Sequence, residues 1–205
     1  WDCCDQRRLR HLIPEDRLRV YDIRAVVESL ADTGSVIELR RDYGVGLITA
    51  LVRVEGKPFG LIANDSRHLG GAIDGAGGEK GGRFLQLCDT FGLPVISLCD
   101  TPGYMVGPDS EKTAAVRRGS RLIIASANLT VPLFTIVIRK GYGLGAQAMA
   151  GGSFHQPFAT LAWPTAEMGP MGLEGAVELG FRKELEATAD DASRKALFEQ
   201  LVGRM

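Results

Sequence analysis

Apolar residues along this chain follow two different periods. Residues 93–98 and 131–138 are nearly unbroken apolar runs, the pattern of strands buried on both faces. Residues 46–54 and 58–63 are β-rich, and Glu55-Gly56-Lys57 between them reads as a hairpin turn. Residues 35–39 and 158–163 predict two further short strands. Ile23, Val26, Val27 and Leu30 recur at helical spacing, which predicts a helix over 21–30 ended by Asp32-Thr33-Gly34. Phe84, Leu85, Cys88 and Phe91 share one face of a helix predicted from about residue 80 to 91, capped by Gly92. One helix is expected over 110–128, another over 173–180, and a final amphipathic one over 190–202. Buried strands joined by crossing helices imply an α/β layering with parallel pairing. One domain, residues 21–205, accounts for the pattern. Residues 1–20 are Arg-rich between Arg7 and Arg19 and read as a solvated arm.

Composition narrows the picture. The chain has 205 residues, 45% hydrophobic and 24% charged, with a net charge of −1. That balance gives no reason to expect nucleic acid as a partner. No apolar run reaches transmembrane length and no signal peptide is legible. Four cysteines are present; without C-x-x-C spacing they do not suggest zinc, and Cys88 and Cys99 read as buried inert thiols of a reducing, cytoplasmic compartment. The 26 glycines are roughly twice the usual ~7% share. They concentrate after Gly60, where residues 69–78 read as a long glycine loop.

The densest candidate chemistry lies at residues 139–152. A buried strand passes through Gly141, Gly143 and Gly145 into small, helix-favouring residues. Strand, glycine turn and helix start together expose main-chain N–H groups at one point, a site for a negatively charged oxygen. Gly70-Gly71-Ala72 is a second place where small residues permit close approach. Asp100, at a strand end before Thr-Pro-Gly, reads as a turn or helix cap. His11, His68 and His155 are scattered, and no acid or base stands out. Arg139 and Lys140 read equally as anion attractors or as an ion pair, and the role of Glu167 stays open.

Several segments, in order, resemble one family. They are Ile62-Ala63-Asn64, Gly70-Gly71-Ala72-Ile73-Asp74, Gly82-Arg83-Phe84 with Cys88-Asp89, Asp100-Thr101-Pro102-Gly103, Arg139-Lys140-Gly141-Tyr142-Gly143, Trp163-Pro164-Thr165-Ala166-Glu167 and 171–177. The series resembles the carboxyltransferase β subunit of biotin-dependent acyl-CoA carboxylases, of propionyl-CoA and acetyl-CoA carboxylase type, over its C-terminal half. The resemblance implies a crotonase-like ββα superhelix. It implies transfer of a carboxyl group from carboxybiotin to the α carbon of an acyl-CoA, with biotin carried on a partner domain. It places the biotin-side oxyanion donors at the Leu144 and Gly145 amides, with Gly141, Tyr142, Gly143, Ala146, Pro102 and Gly103 around the cofactor. It places Gly70, Gly71, Ala72 and Gln147 on the substrate side, without naming the acyl group. Implied partners are biotin carboxyl carrier protein, biotin carboxylase, and either an N-terminal carboxyltransferase half or copies of the chain, so an oligomer is expected. The start at Trp1 suggests a piece of a longer chain or a split subunit. No metal is implied. The alternatives are a biotin-dependent CoA-ester decarboxylase subunit, or a non-catalytic scaffold half.

Overall fold

Two apolar residues anchor the otherwise largely exposed first twenty. In the computed structural model, which describes residues 1–188 and 190–204, helix α1 (Leu9–Leu12) seats Leu9 in the main core, with Ile13 just beyond it. Arg7, Arg8, Arg10 and Arg19 are exposed, as are Trp1, Leu18 and Val20, while Leu9 and Ile13 are buried. Helix α2 (Ile23–Leu30) follows, with Asp22 accepting from Arg24 N at 3.1 Å as its N-cap. It buries Ile23, Val26 and Val27, the residues its spacing selected.

Six strands lie side by side in chain order: β1 (Ile37–Glu38), β2 (Leu47–Val54), β3 (Lys57–Asn64), β4 (Val95–Thr101), β5 (Leu133–Tyr142) and β6 (Ala159–Ala162). The β1–β2 and β2–β3 pairs are antiparallel; β3 through β6 are parallel. The β2–β3 hairpin turns on Glu55 and Gly56, with φ of 52° and 76°. The Asp32 carboxylate accepts from both of their amides, at 2.9 and 2.7 Å, which explains how a glutamate tolerates that geometry. Strand β4 is buried at every position, its apolar start at Val95–Leu98 and its polar end, Asp100 and Thr101, alike.

Helix α3 (Gly75–Thr90) begins five residues before the predicted start. Its glycines do not make a loop. Asp74 caps the helix through Gly77 N at 2.7 Å, and the missing side chains let it lie against the helix that precedes β5. That region is not one helix but two, α4 (Pro108–Lys112) and α5 (Ala115–Ala127), broken at Ala114 with φ 56°. A Cβ on Gly78 would sit 2.6 Å from Gly119 Cα, and one on Gly82 2.7 Å from Arg121 O. These glycines are therefore a packing device. Helix α6 (Gly143–Met149) leaves the end of β5 directly.

One sheet face carries a core with Ile23, Val27, Ile48, Leu61, Leu98 and Ile138. The other carries Leu47, Ile62, Phe84, Leu85, Leu122 and Met149. A short strand, β7 (Glu167–Gly169), pairs with β5. Beyond it come α7 (Leu173–Gly180), α8 (Arg182–Glu186) and α9 (Asp191–Val202). Two compact units result, Trp1–Met168 and Gly169–Met205, where the sequence led us to expect one domain after a separate arm. The second has its own small core of Val177, Leu185 and Leu201.

Candidate active site

The parallel strands β3, β4 and β5 end together, and the loops leaving their carboxyl ends meet. After β3 the chain makes a tight turn at Leu69–Gly71, with Gly70 and Gly71 at φ 63° and 92°. After β4 it turns at Pro102-Gly103. After β5 it enters α6 through Gly143, at φ 56°. The contacts are close. A Cβ on Gly71 would lie 2.3 Å from Asp100 O, and one on Gly145 2.7 Å from Gly103 Cα. Ile73 N donates to Gly103 O and Met105 N to Ile73 O, both at 2.9 Å. Lys140 Nζ donates to Gly70 O at 2.7 Å. Three stretches chosen separately in the sequence thus form one surface region. Loops at the carboxyl ends of parallel strands are where α/β sheets bind ligands.

The Leu144 and Gly145 amides sit in the first turn of α6, where N–H groups have no partner within the helix. Among the described residues neither meets an acceptor elsewhere, and no side chain caps the helix. Leu144 is 62% exposed and Gly145 is buried, so the pair straddles the edge of the surface. The helix has seven residues, too short for its dipole to be the main attraction. What it offers is two rigid neutral donors. Gly143 has to be glycine-like, because its left-handed φ opens the turn.

Behind the amides lies a scaffold of buried charge. Asp100 Oδ2 accepts from Arg139 Nε at 3.0 Å, from Arg139 Nη2 at 2.9 Å and from Tyr21 Oη at 3.0 Å; Asp100 Oδ1 accepts from Lys140 N at 3.1 Å. Arg139 Nη1 donates to the carbonyls of Asp16 and Arg19 at 2.8 and 2.7 Å. Its guanidinium also lies 4.6 Å from the centre of the Tyr21 ring, a cation–π contact. Asp100 and Arg139 are 0% and 1% exposed, so Arg139 is fully engaged inside the protein. Asp100 ties β4 to β5 rather than capping a turn. Burial lowers the Lys140 pKa, against the opposing pull of Asp100. Thr101 Oγ1 accepts from Gly103 N and donates to Gly103 O, both at 3.1 Å, which fixes the turn facing Gly145.

Not every residue expected at the cofactor faces outward. Gly141 is buried in β5, where a Cβ would meet Val137 Cγ1 at 3.0 Å. Tyr142 is 4% exposed and its hydroxyl donates to Glu167; Glu167 also pairs with Arg17 at 3.3 Å. Ala146 is wholly buried in the core. All three pack behind the turn, Gly141 and Tyr142 at the end of β5 and Ala146 on the inner side of α6. Gly71 and Ala72 are buried as well, while Gly70 and Pro102 are exposed and Gly103 and Gln147 half-buried.

Sequence reasoning missed the Tyr21–Asp100–Arg139 cluster, whose members lie far apart in the chain with nothing local to join them. It also missed Asn64, which accepts from Asp100 N at 3.0 Å while its Nδ2 has no partner among the described residues. His68 Nε2 lies 3.2 Å from Asp74 Oδ2, a structural contact. Among the described residues no cluster of His, Cys, Asp and Glu could hold a metal ion. The thiols of Cys88 and Cys99 are buried and free; burial pushes the first up to about 12 and raises the second as well.

Residues 1–203 match the carboxyl transferase domain family. The chain belongs to that family. The carboxyltransferase subunit of propionyl-CoA carboxylase from Haloferax mediterranei is 37% identical over 94% of this chain and 37% of its own length. The methylmalonyl-CoA carboxyltransferase 12S subunit of Propionibacterium freudenreichii subsp. shermanii is 36% identical over 97% of this chain and 38% of its own length. Among solved structures, a single-chain, multi-domain long-chain acyl-CoA carboxylase superposes with a TM-score of 0.89 and 59% identity, covering 100% of this chain and 20% of that one. The transcarboxylase 12S structure with methylmalonyl-CoA and methylmalonic acid bound gives 0.88 and 35%, covering 97% and 38%. The chain thus spans little more than a third of these curated relatives. Its fold is the crotonase-like α/β layering expected of the family, and no helix among the described residues is long and apolar enough to cross a membrane.

Proposed function

We propose that this chain is a carboxyltransferase component of a biotin-dependent acyl-CoA carboxylase, and that it supplies the biotin side of the site. The observation that carries the reading is the pair of unsatisfied Leu144 and Gly145 amides at the end of β5, held against Gly103. Biotin, when bound, supplies the transferable carboxyl group and a ureido oxygen that gathers negative charge as that group departs. Two fixed neutral donors suit such an oxygen, because they need no reorganisation as charge develops and do not titrate. Lys140 anchors the Gly70 carbonyl beside them, and the Asp100–Arg139 pair fixes the β4 and β5 ends from which both turns spring.

Gly70, Pro102, Gly103 and Gln147 form the rest of the proposed contact surface, with Gly71 and Ala72 shaping it from below. The family and the relatives' names support biotin, on a carrier domain, as cofactor and acyl-CoA as substrate. The proposed partners are biotin carboxyl carrier protein, biotin carboxylase and an N-terminal carboxyltransferase half or further copies of the chain, in the cytoplasm. The 12S relative is described as a hexamer, which supports an oligomer here.

The test is transfer of labelled carboxyl from a carboxybiotinylated carrier domain to acyl-CoA. The chain alone is expected to give no transfer, and the chain supplied with a complementary N-terminal half to give turnover. Turnover by the chain alone would overturn the half-site reading. No transfer to any acyl-CoA by a folded, associated pair would overturn the activity.

A further inference from the structure

Lys80 is the one buried cation of α3. The residue is 1% exposed, and among the described residues its Nζ meets no hydrogen-bond acceptor. It lines a cavity of about 350 Å³ between α3 and the β1–β2 region, within the usual size range of small-molecule pockets. Arg40 and Arg83 line the same cavity, and no carboxylate does. Half-buried Glu38, whose charge acts on Lys80, is already held by Arg24 at 2.7 and 2.9 Å. Apolar surface from Phe84, Leu87 and Phe91 completes the wall. None of these residues belongs to the Gly103–Gly145 region.

We infer that this cavity binds a small carboxylate monoanion carrying an apolar body. A buried ammonium without an acceptor is costly, and an oxyanion beside it removes that cost. One charge is the right number, because only Lys80 is desolvated; Arg40 and Arg83 are exposed and guide the anion at the mouth. The aromatic and leucine surface asks for a hydrocarbon or aromatic body, which a bare inorganic anion lacks. Burial lowers the Lys80 pKa to about 8, against the raising influence of Glu38 and Asp42; the ammonium form still predominates at neutral pH.

The test uses the full chain labelled at lysine Cε, titrated at neutral pH with hexanoate, acetate and inorganic phosphate while lysine resonances are followed by NMR. The Lys80 signal is assigned by its loss in Lys80→Met. Hexanoate is expected to shift that signal saturably, at least about tenfold more tightly than acetate or phosphate. Lys80→Met should abolish hexanoate binding measured by calorimetry, and Phe91→Ala should weaken hexanoate while leaving acetate unchanged. Phe91 is 73% exposed, so that variant keeps the test decisive if Lys80→Met does not fold. No saturable shift with hexanoate, equal binding of phosphate, or hexanoate binding untouched by Phe91→Ala would each overturn the inference.

Discussion

Gly145 and Gly103 meet backbone to backbone: a Cβ on Gly145 would stand 2.7 Å from Gly103 Cα and 2.8 Å from its carbonyl carbon. Neither neighbour is a flexible side chain that could swing aside. Gly145→Ala is expected to push the α6 turn off the Pro102-Gly103 turn, costing about 1–3 kcal/mol of stability. A displacement near 1 Å in a positioned site costs about a hundredfold in turnover. Gly175→Ala in α7 is the control, since its Cβ would meet only Met171 Sδ at 3.7 Å; it should be neutral or stabilise by up to ~1 kcal/mol. Urea unfolding and carboxyl-transfer rates of the two variants check this, and matching effects would contradict it.

The Asp100–Arg139 pair predicts a large, purely structural loss. Both groups are out of water, so removing either strands the other. Asp100→Leu or Arg139→Met should each cost about 3–5 kcal/mol, and the double variant clearly less than the sum. Urea denaturation of the three variants measures it. Single losses below about 1 kcal/mol would mean that the pair is not isolated from solvent.

How much of this was legible beforehand depended on whether the signal was local. Helix α2, strands β2 to β5 and the glycine turn into α6 could be read from period and turn chemistry, because each depends on neighbours in the chain. The glycines of α3 misled for a definite reason. Gly75, Gly77 and Gly78 look like a loop one residue at a time, and the approach of α5 to Gly75 and Gly78 shows why a helix has them. Leu9 and Ile13 were hidden among arginines. The Asp100–Arg139–Tyr21 cluster joins three distant segments, so no spacing announces it. The site loops were found individually; that they converge follows from the parallel order of β3, β4 and β5, which hydrophobic runs imply only in outline.

Lys80 gives the chain a pH dependence of definite sign. Its pKa falls from 10.5 to about 8 on folding. Below about 8 both states carry the charge, and the penalty of burying it is constant. Between about 8 and 10.5 the folded state is neutral while the unfolded state still binds the proton, so stability gains with rising pH. The full gain is on the order of 3 kcal/mol. Lys80→Met should therefore stabilise the chain at pH 7, and its advantage over the parent should shrink by pH 9.5. Urea midpoints at both pH values check this; an advantage that grows with pH would contradict it.

The most direct measurement concerns one hydrogen. Replacing the Leu144 amide by an ester, through the α-hydroxy analogue of leucine, removes its N–H and keeps the side chain. No helix bond is lost in the first turn. With the complementary half supplied, kcat for carboxyl transfer should fall by about 10²–10³, or ~2.7–4 kcal/mol, at an unchanged unfolding midpoint, while Leu144→Ala stays close to the parent. An ester variant that turns over as fast as Leu144→Ala would show that the Leu144 amide holds no charge in the transition state.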